Sequence, residues 1–334
     1  MDRIIYADGG IGRVLCLTPA IRKLKERNPD DRIVVVTAWR DVFLNNPNVS
    51  KIYPFDHSYL WDDVVRLGRL YNPEPYHDYE YYTQKHHIAQ SFDRIINGST
   101  EAMNGLFPEI YLSPELLQFG KELVEHIKKE SGKERVIAFQ PFGASGCGGR
   151  DFVADPSCRS LSAHTAKRMA DAASDWGMMF SCTHIDLDHT NIWKRDSSLL
   201  ELFAIVAACD YVITIDSSLA HIGAAFRKPG IQLLGGTFAE NVGYPDLYRT
   251  IIREGYPKSF TPNRIHGGVE LNQDAMSFNE EELECLLTMI RTKDFLTTPK
   301  EEVKKTFDYS SHEGVYLQSD EAQQSLHLVD NSET

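Results

Sequence analysis

The chain has 334 residues, long enough for two domains, and its 42% hydrophobic and 25% charged content is that of a soluble globular protein. Its net charge of −13 argues against a general nucleic-acid binder, and no apolar run approaches the roughly 20 residues needed to span a bilayer. Six cysteines, at 16, 147, 158, 182, 209 and 285, show no C-x-x-C spacing and read as reduced, mostly buried thiols of a cytoplasmic protein without a structural zinc site, and the N-terminus lacks signal-peptide architecture.

Residues 3–7 read as a strand, and Val14 to Arg27 as an amphipathic helix with Val14, Leu17, Ile21 and Leu24 inward. Arg13, Arg22, Lys23, Lys25 and Arg27 make that helix basic, read as a solvated outer face. Residues 32–37 are a second strand, 39–45 a short helix stopped before Pro47, and 51–55 a third strand. This alternation implies a parallel sheet with helices on its faces. Residues 71–87, dense in aromatic and polar groups with two prolines, read equally as a ligand-lining segment or a packed loop. A helix over 114–129 ends near Ser131-Gly132-Lys133, a plausible interdomain joint.

A second alternating unit follows. Strands are expected at 135–139, 178–183, 211–215 and 231–234, and helices at 163–176, 198–208, 218–226 and 281–295. The expected division is an N-terminal Rossmann-like domain over 1–131 and a C-terminal Rossmann-like domain over 132–296. A polar, acidic tail over 297–334 is expected to be loosely ordered or laid over the surface.

The segment 210–237 is the most informative. An apolar run ends at Asp216; Ser217 and Ser218 open a helix that carries His221; a second apolar run ends at Gly235-Gly236-Thr237. A hydroxyl-rich helix start leaves backbone N–H groups for an anion, diphosphate above all. The plainer reading is that Asp216 and Ser217 only cap the helix. The first strand ends in Asp8-Gly9-Gly10-Ile11-Gly12-Arg13, where the glycines let backbone approach a ligand; Leu15 stands where a dinucleotide fingerprint needs its third glycine. A small-residue loop, Phe142-Gly143-Ala144-Ser145, follows the strand at 135–139, and Arg159 precedes a helix downstream. That cation would neutralise a leaving diphosphate, or be a surface arginine.

Together these segments resemble the family 9 glycosyltransferases, the heptosyltransferase-like group, over roughly residues 3–295. Gly9-Gly10-Ile11-Gly12 with Thr18-Pro19-Ala20-Ile21 looks like the family's opening loop and helix. Phe139 to Ser145 is similar to its HPGAS loop, and Arg159 falls where the family has a phosphate-binding lysine. Leu199–Leu202 through Asp216–His221 match its most specific segment, and Gly235-Gly236-Thr237 the loop after it. The resemblance implies a GT-B fold, an α/β architecture of two Rossmann-like domains facing each other across a cleft. It implies a nucleotide-diphosphate sugar on the C-terminal side, an acceptor on the N-terminal side, inversion at the anomeric carbon, and no metal or cofactor. Gly143, Ser145, Arg159, Asp216, Ser217, Ser218, His221, Gly236 and Thr237 would form the donor site. Gly9, Gly10, Gly12 and His86 would lie on the acceptor side.

One departure bears on the chemistry. The family's proposed general base is an aspartate directly after Gly12, where this chain has Arg13, which cannot accept a proton. Asp8 is the nearest carboxylate and the expected replacement, with Arg13 pairing with it or binding an anionic acceptor. The alternative is that Asp8 caps the loop at Gly10 or Ile11 N–H, leaving the base among Asp56, His57, Asp78, His86 and His87. The acceptor is expected to be a saccharide or glycoconjugate, with a hydroxymethylated DNA base as a further candidate. A sugar-nucleotide epimerase and an inactive nucleotide-sugar binding module are the alternatives.

Overall fold

The runs Ile4–Ile5 and Val34–Val35 pair in parallel register, and both are fully or almost fully buried, as expected for strands covered on both faces. The computed structural model describes residues 1–99, 106–149, 152–155, 157–253 and 273–296. Its first half contains β1 (Asp2–Ala7), α1 (Ile11–Arg27), β2 (Arg32–Thr37), the single turn α2 (Arg40–Phe43), β3 (Lys51–Tyr53), α3 (Leu60–Asp63), β4 (Arg69–Tyr71), α4 (Tyr79–Tyr82) and α5 (Ile88–Asn97). Then come α6 (Pro114–Ser131), β5 (Arg135–Gln140), a small hairpin of β6 (Cys147–Gly148) and β7 (Val153–Ala154), α7 (Ala163–Ala173), β8 (Gly177–Ser181) and β9 (Ile192–Trp193). The chain continues through α8 (Leu199–Ala208), β10 (Tyr211–Ile215), α9 (Ser218–Ala225), β11 (Gly230–Leu234), α10 (Ala239–Val242), β12 (Tyr248–Ile252) and α11 (Glu280–Thr292).

The two large sheets are parallel, in the orders β3-β2-β1-β4 and β12-β11-β10-β5-β8-β9. Each reverses its direction of growth once, the first between β1 and β4 and the second between β5 and β10. In open α/β sheets such a reversal leaves a crevice at the carboxyl ends of the strands, where ligands bind. The two reversals position everything that follows.

Helix α1 continues through Pro19, which has no N–H for the Leu15 carbonyl. The Thr18 hydroxyl donates to that carbonyl at 2.7 Å and accepts the Glu109 N–H at 2.8 Å. The basic residues of α1 are drawn into local pairs: Arg22 with Glu109 and Glu26, and Lys23 with the buried Asp93.

Several elements differ from expectation. Strand β4 and helix α5 lie at the two ends of the segment read as irregular, and the helix expected over 39–45 shrinks to one turn. Helix α6, assigned from sequence to the N-terminal unit, packs along α8 of the second half. Gly120 permits this, because a Cβ there would collide with the Ala204 carbonyl. Cys147 and Cys285 are exposed, and the six cysteines form no disulfide. The tail over 297–334 lies outside the described residues, among which no helix is long and apolar enough to cross a membrane.

The halves are joined through α1 and α9, which lie against each other. Asn241 in α10 donates to the carbonyls of Tyr81 and His86, at 2.9 Å each. Arg227 stacks over the Phe107 ring at 3.4 Å, and the fully buried Tyr244 contacts Phe107, His87 and His221.

Candidate active site

A cavity of about 370 Å³ lies between the two halves, at the carboxyl edges of both sheets. From the second half it is lined by Gln140, Gly143, Arg159, Asp216, Ser217, Ser218, His221 and Thr237. The first half contributes Gly10, Gly12 and Arg13 from the start of α1, with Trp39, Tyr76 and Tyr81. Ten of the residues expected from sequence thus share one cavity, drawn from positions 10 to 237.

The donor side is built on the sheet reversal. Gln140 ends β5 and Asp216 follows β10, its neighbour. Ser217 is the N-cap of α9: its hydroxyl accepts the Leu219 N–H at 3.3 Å and donates to Gln140 Oε1 at 3.0 Å. Gln140 Oε1 also accepts the Leu219 N–H. Ser217 spends its hydroxyl on capping, while Ser218 and the helix start still face the cavity.

Arg159 reaches this place across 57 residues of sequence. Its Nη1 lies 3.4 Å from Asp216 Oδ2, and its Nε donates to Ser157 Oγ at 3.1 Å. A guanidinium beside a helix N-terminus can hold an anion, and here Arg159 is already paired with the Asp216 carboxylate. The Thr237 hydroxyl also lines the cavity and has no hydrogen-bond partner among the described residues.

His221 is buried, and burial pushes its imidazole down to about 4. It is neutral at pH 7, so it meets a substrate as a hydrogen-bonding group and not as a cation. Its Nδ1 lies 2.7 Å from the Tyr244 hydroxyl and 3.2 Å from Cys16 Sγ. Burial in turn raises the Cys16 thiol to about 12, which makes Cys16 packing and not a nucleophile.

Five expected residues are not among those lining the cavity. Asp8 is exposed, and its carboxylate accepts the N–H of Gly9, its own neighbour, at 2.6 Å. The expected Asp8–Arg13 pair is replaced by Arg13–Glu74 at 3.0 Å. Gly9 takes φ +96° and lies behind Arg13, and Gly236 packs toward the Cys158 carbonyl. Ser145 donates to Asp155 Oδ1 at 2.6 Å. The His86 Nδ1 sits 3.6 Å from the buried Asp78, away from the cavity.

Asp155, unmarked by any sequence motif, fastens the donor loops. Its carboxylate accepts the hydroxyls of Ser145, Ser157 and Ser160, each at 2.6 Å, and the Ser157 N–H at 2.8 Å. Ser160 in turn accepts the Gly143 N–H at 2.9 Å. Burial alone would raise this carboxyl, but the converging donors outweigh it and hold it at about 2. Trp39, Gln140 and Asn241 were also missed. Tyr76 and Tyr81 come from the aromatic segment for which a ligand-lining role was one reading. Among the described residues, no three His, Cys, Asp or Glu side chains gather as a metal site would require.

Comparison with known proteins fits this geometry. Residues 194–259, which span α8 to β12 and include the Asp216–His221 helix start, match the model of glycosyltransferase family 9 (heptosyltransferase). That segment is similar to the family 9 glycosyltransferases, at a divergent level. The similarity supports a glycosyltransferase as the enzyme class. A glycosyl transferase family 9 structure from Veillonella parvula is 14% identical, with 87% of this chain and 97% of that one covered at a TM-score of 0.63. The E. coli ADP-heptose lps heptosyltransferase II is also 14% identical, covering 88% and 100% at 0.58. E. coli heptosyltransferase WaaC with ADP is 11% identical, covering 87% and 99% at 0.52. These likenesses give the fold, GT-B, as the two facing parallel sheets require. No curated protein sequence matches the chain.

Proposed function

We propose that this glycosyltransferase moves a sugar from a nucleotide-diphosphate donor to a saccharide or glycoconjugate hydroxyl, with inversion and without a metal ion. The observation that carries the reading is the shared cavity: Asp216, Ser218, His221 and Arg159 meet Gly10, Gly12 and Arg13 across the two sheet edges. The leaving diphosphate lies against the start of α9 and Arg159, whose fixed charges take the place a metal ion would otherwise fill. The acceptor lies on the Arg13, Trp39 and Tyr76 side, where aromatic faces suit a sugar ring. The cytoplasmic setting expected from six cysteines without a disulfide belongs to the same proposal.

The deciding experiment mixes the purified protein with ADP-, GDP-, UDP- and CDP-sugars, with and without a panel of saccharides, in the presence of a chelator. Acceptor-dependent release of nucleoside diphosphate supports the transferase reading. An epimerised donor without acceptor, or binding without turnover, would replace it with one of the two alternatives.

A further inference from the structure

The N-terminal sheet reverses its strand order between β1 and β4, and the segments leaving these two strands both reach the cavity. The segment after β1 carries Gly10 to Arg13, and the segment after β4 carries Pro73, Glu74 and Tyr76. Glu74 Oε2 lies 3.0 Å from Arg13 Nη2, and its Oε1 accepts the Tyr76 N–H at 3.2 Å. Arg13 also reaches the Pro73 carbonyl at 3.4 Å, and its guanidinium sits 5.1 Å from the Tyr76 ring centre. Arg13 and Tyr76 both line the cavity, and Glu74, which is not itself a lining residue, is hydrogen-bonded to both. Gly9 makes the arrangement possible, because a Cβ there would lie 2.7 Å from Arg13 Cδ.

We propose that Glu74 is the general base of the transfer and that Arg13 is the positioning residue that holds its carboxylate toward the acceptor. The inference rests on the transferase reading above. The carboxylate missing from the position of Arg13 is supplied instead from the neighbouring edge of the sheet.

Other titratable groups near the cavity have partners of their own. Asp8 is turned to its own loop, and Asp78 is buried against Arg94 at 2.9 Å. Asp216 faces Arg159 on the donor side, and His221 Nδ1 is taken by Tyr244. The Glu74 side chain remains about one-third exposed, at 36%, with each oxygen holding a single partner among the described residues. A carboxylate oxygen has a second lone pair, which leaves room for an acceptor hydroxyl. In the reaction Glu74 takes the hydroxyl proton while the acceptor oxygen bonds the anomeric carbon. The bond from that carbon to the diphosphate oxygen breaks, and its electron pair leaves with the nucleoside diphosphate. The neutral Glu74 returns its proton to solvent.

The test compares full-length wild type with Glu74→Gln, Glu74→Asp, Arg13→Gln and the Glu74→Gln/Arg13→Gln double variant. Release of nucleoside diphosphate is followed from whichever ADP-, GDP-, UDP- or CDP-sugar stabilises the protein most, with a panel of mono- and oligosaccharides as acceptors. Glu74→Gln is expected to lose about a hundredfold or more in kcat while the donor KM and thermal stability hold. Glu74→Asp recovers part of the loss. Arg13→Gln lowers kcat in the wild-type background but adds little to Glu74→Gln, the coupling expected if the arginine acts through the glutamate. Glu74→Gln turnover within about threefold of wild type overturns the assignment, as does a parallel loss of donor binding. A wild type that shows no acceptor-dependent release removes the transferase reading, and the base with it.

Discussion

Gly12 in the first turn of α1 and His221 in the first turn of α9 meet where the two halves of the molecule join. A Cβ on Gly12 would lie 2.6 Å from His221 Cδ2 and 3.4 Å from the Ser218 Cα. The imidazole cannot swing away, because Tyr244 and Cys16 hold its other edge. The glycine of the opening loop thus sets how closely the acceptor half approaches the phosphate-binding helix.

Gly12→Ala is therefore expected to wedge α1 from α9. Overpacking of this kind costs about 1–3 kcal/mol, and nucleoside diphosphate binding should weaken in parallel because Ser218 and His221 are displaced together. Thermal melts and titrations of the variant check both. Unchanged stability and affinity would mean that the two helices can separate without cost.

The fold was largely legible, and the reasons lie in particular residues. Strands β1, β2, β5, β10 and β11 are apolar runs between turn residues, and parallel strands buried on both faces read that way. Strand β4 is only Arg69-Leu70-Tyr71 at a sheet edge, with Leu70 exposed, so no apolar run announces it. The stripe on α6 shows which face is buried but not against which half. Glu74 escaped for a different reason: its partner Arg13 lies 61 residues away, and the fold alone brings them together. Asp8 is near Arg13 in sequence, but in the fold Arg13 pairs with Glu74. Asp155 sits in a Ser- and Gly-rich loop that reads as an ordinary turn.

Stability should fall as the solution is acidified below neutrality. Burial, and then the neighbouring His221, push His87 down to about 3, and burial pushes His221 to about 4, against an ordinary 6.5. Between about pH 6.5 and pH 4 the unfolded chain binds protons that the folded chain refuses, so stability drops as pH falls through that window. His87 also caps α5, accepting the Ala89 N–H at 3.1 Å. His87→Asn keeps a capping oxygen and removes the titration, so its melting temperature should decline less steeply between pH 7 and pH 4.5 than that of wild type. Parallel slopes would contradict this account.

Asp155→Asn should loosen the donor loops. The serine hydroxyls that donate to the carboxylate would meet an amide N–H₂ on one side, leaving buried donors unpaired at a cost of about 1–3 kcal/mol. The carboxyl sits at about 2 in the folded chain against 3.8 ordinarily, so its stabilisation is complete above about pH 4 and is lost as pH falls toward 2. Wild type should therefore lose more stability than Asp155→Asn across that range. Melts of the two proteins at a series of pH values read the difference, and equal losses would show that the serines do not favour the ionised form.

The central claim is that the cavity holds a nucleoside diphosphate between the start of α9 and Arg159. Calorimetric titration of wild type and Arg159→Ala with ADP, GDP, UDP and CDP tests it most directly. One of the four should bind saturably, stabilising the fold by about 2.7 kcal/mol at a hundredfold excess over the dissociation constant. Its affinity should fall about tenfold or more in Arg159→Ala, as expected when a charge-assisted contact to a phosphate is lost. Binding by none of the four, or equal affinity in the variant, would contradict the account.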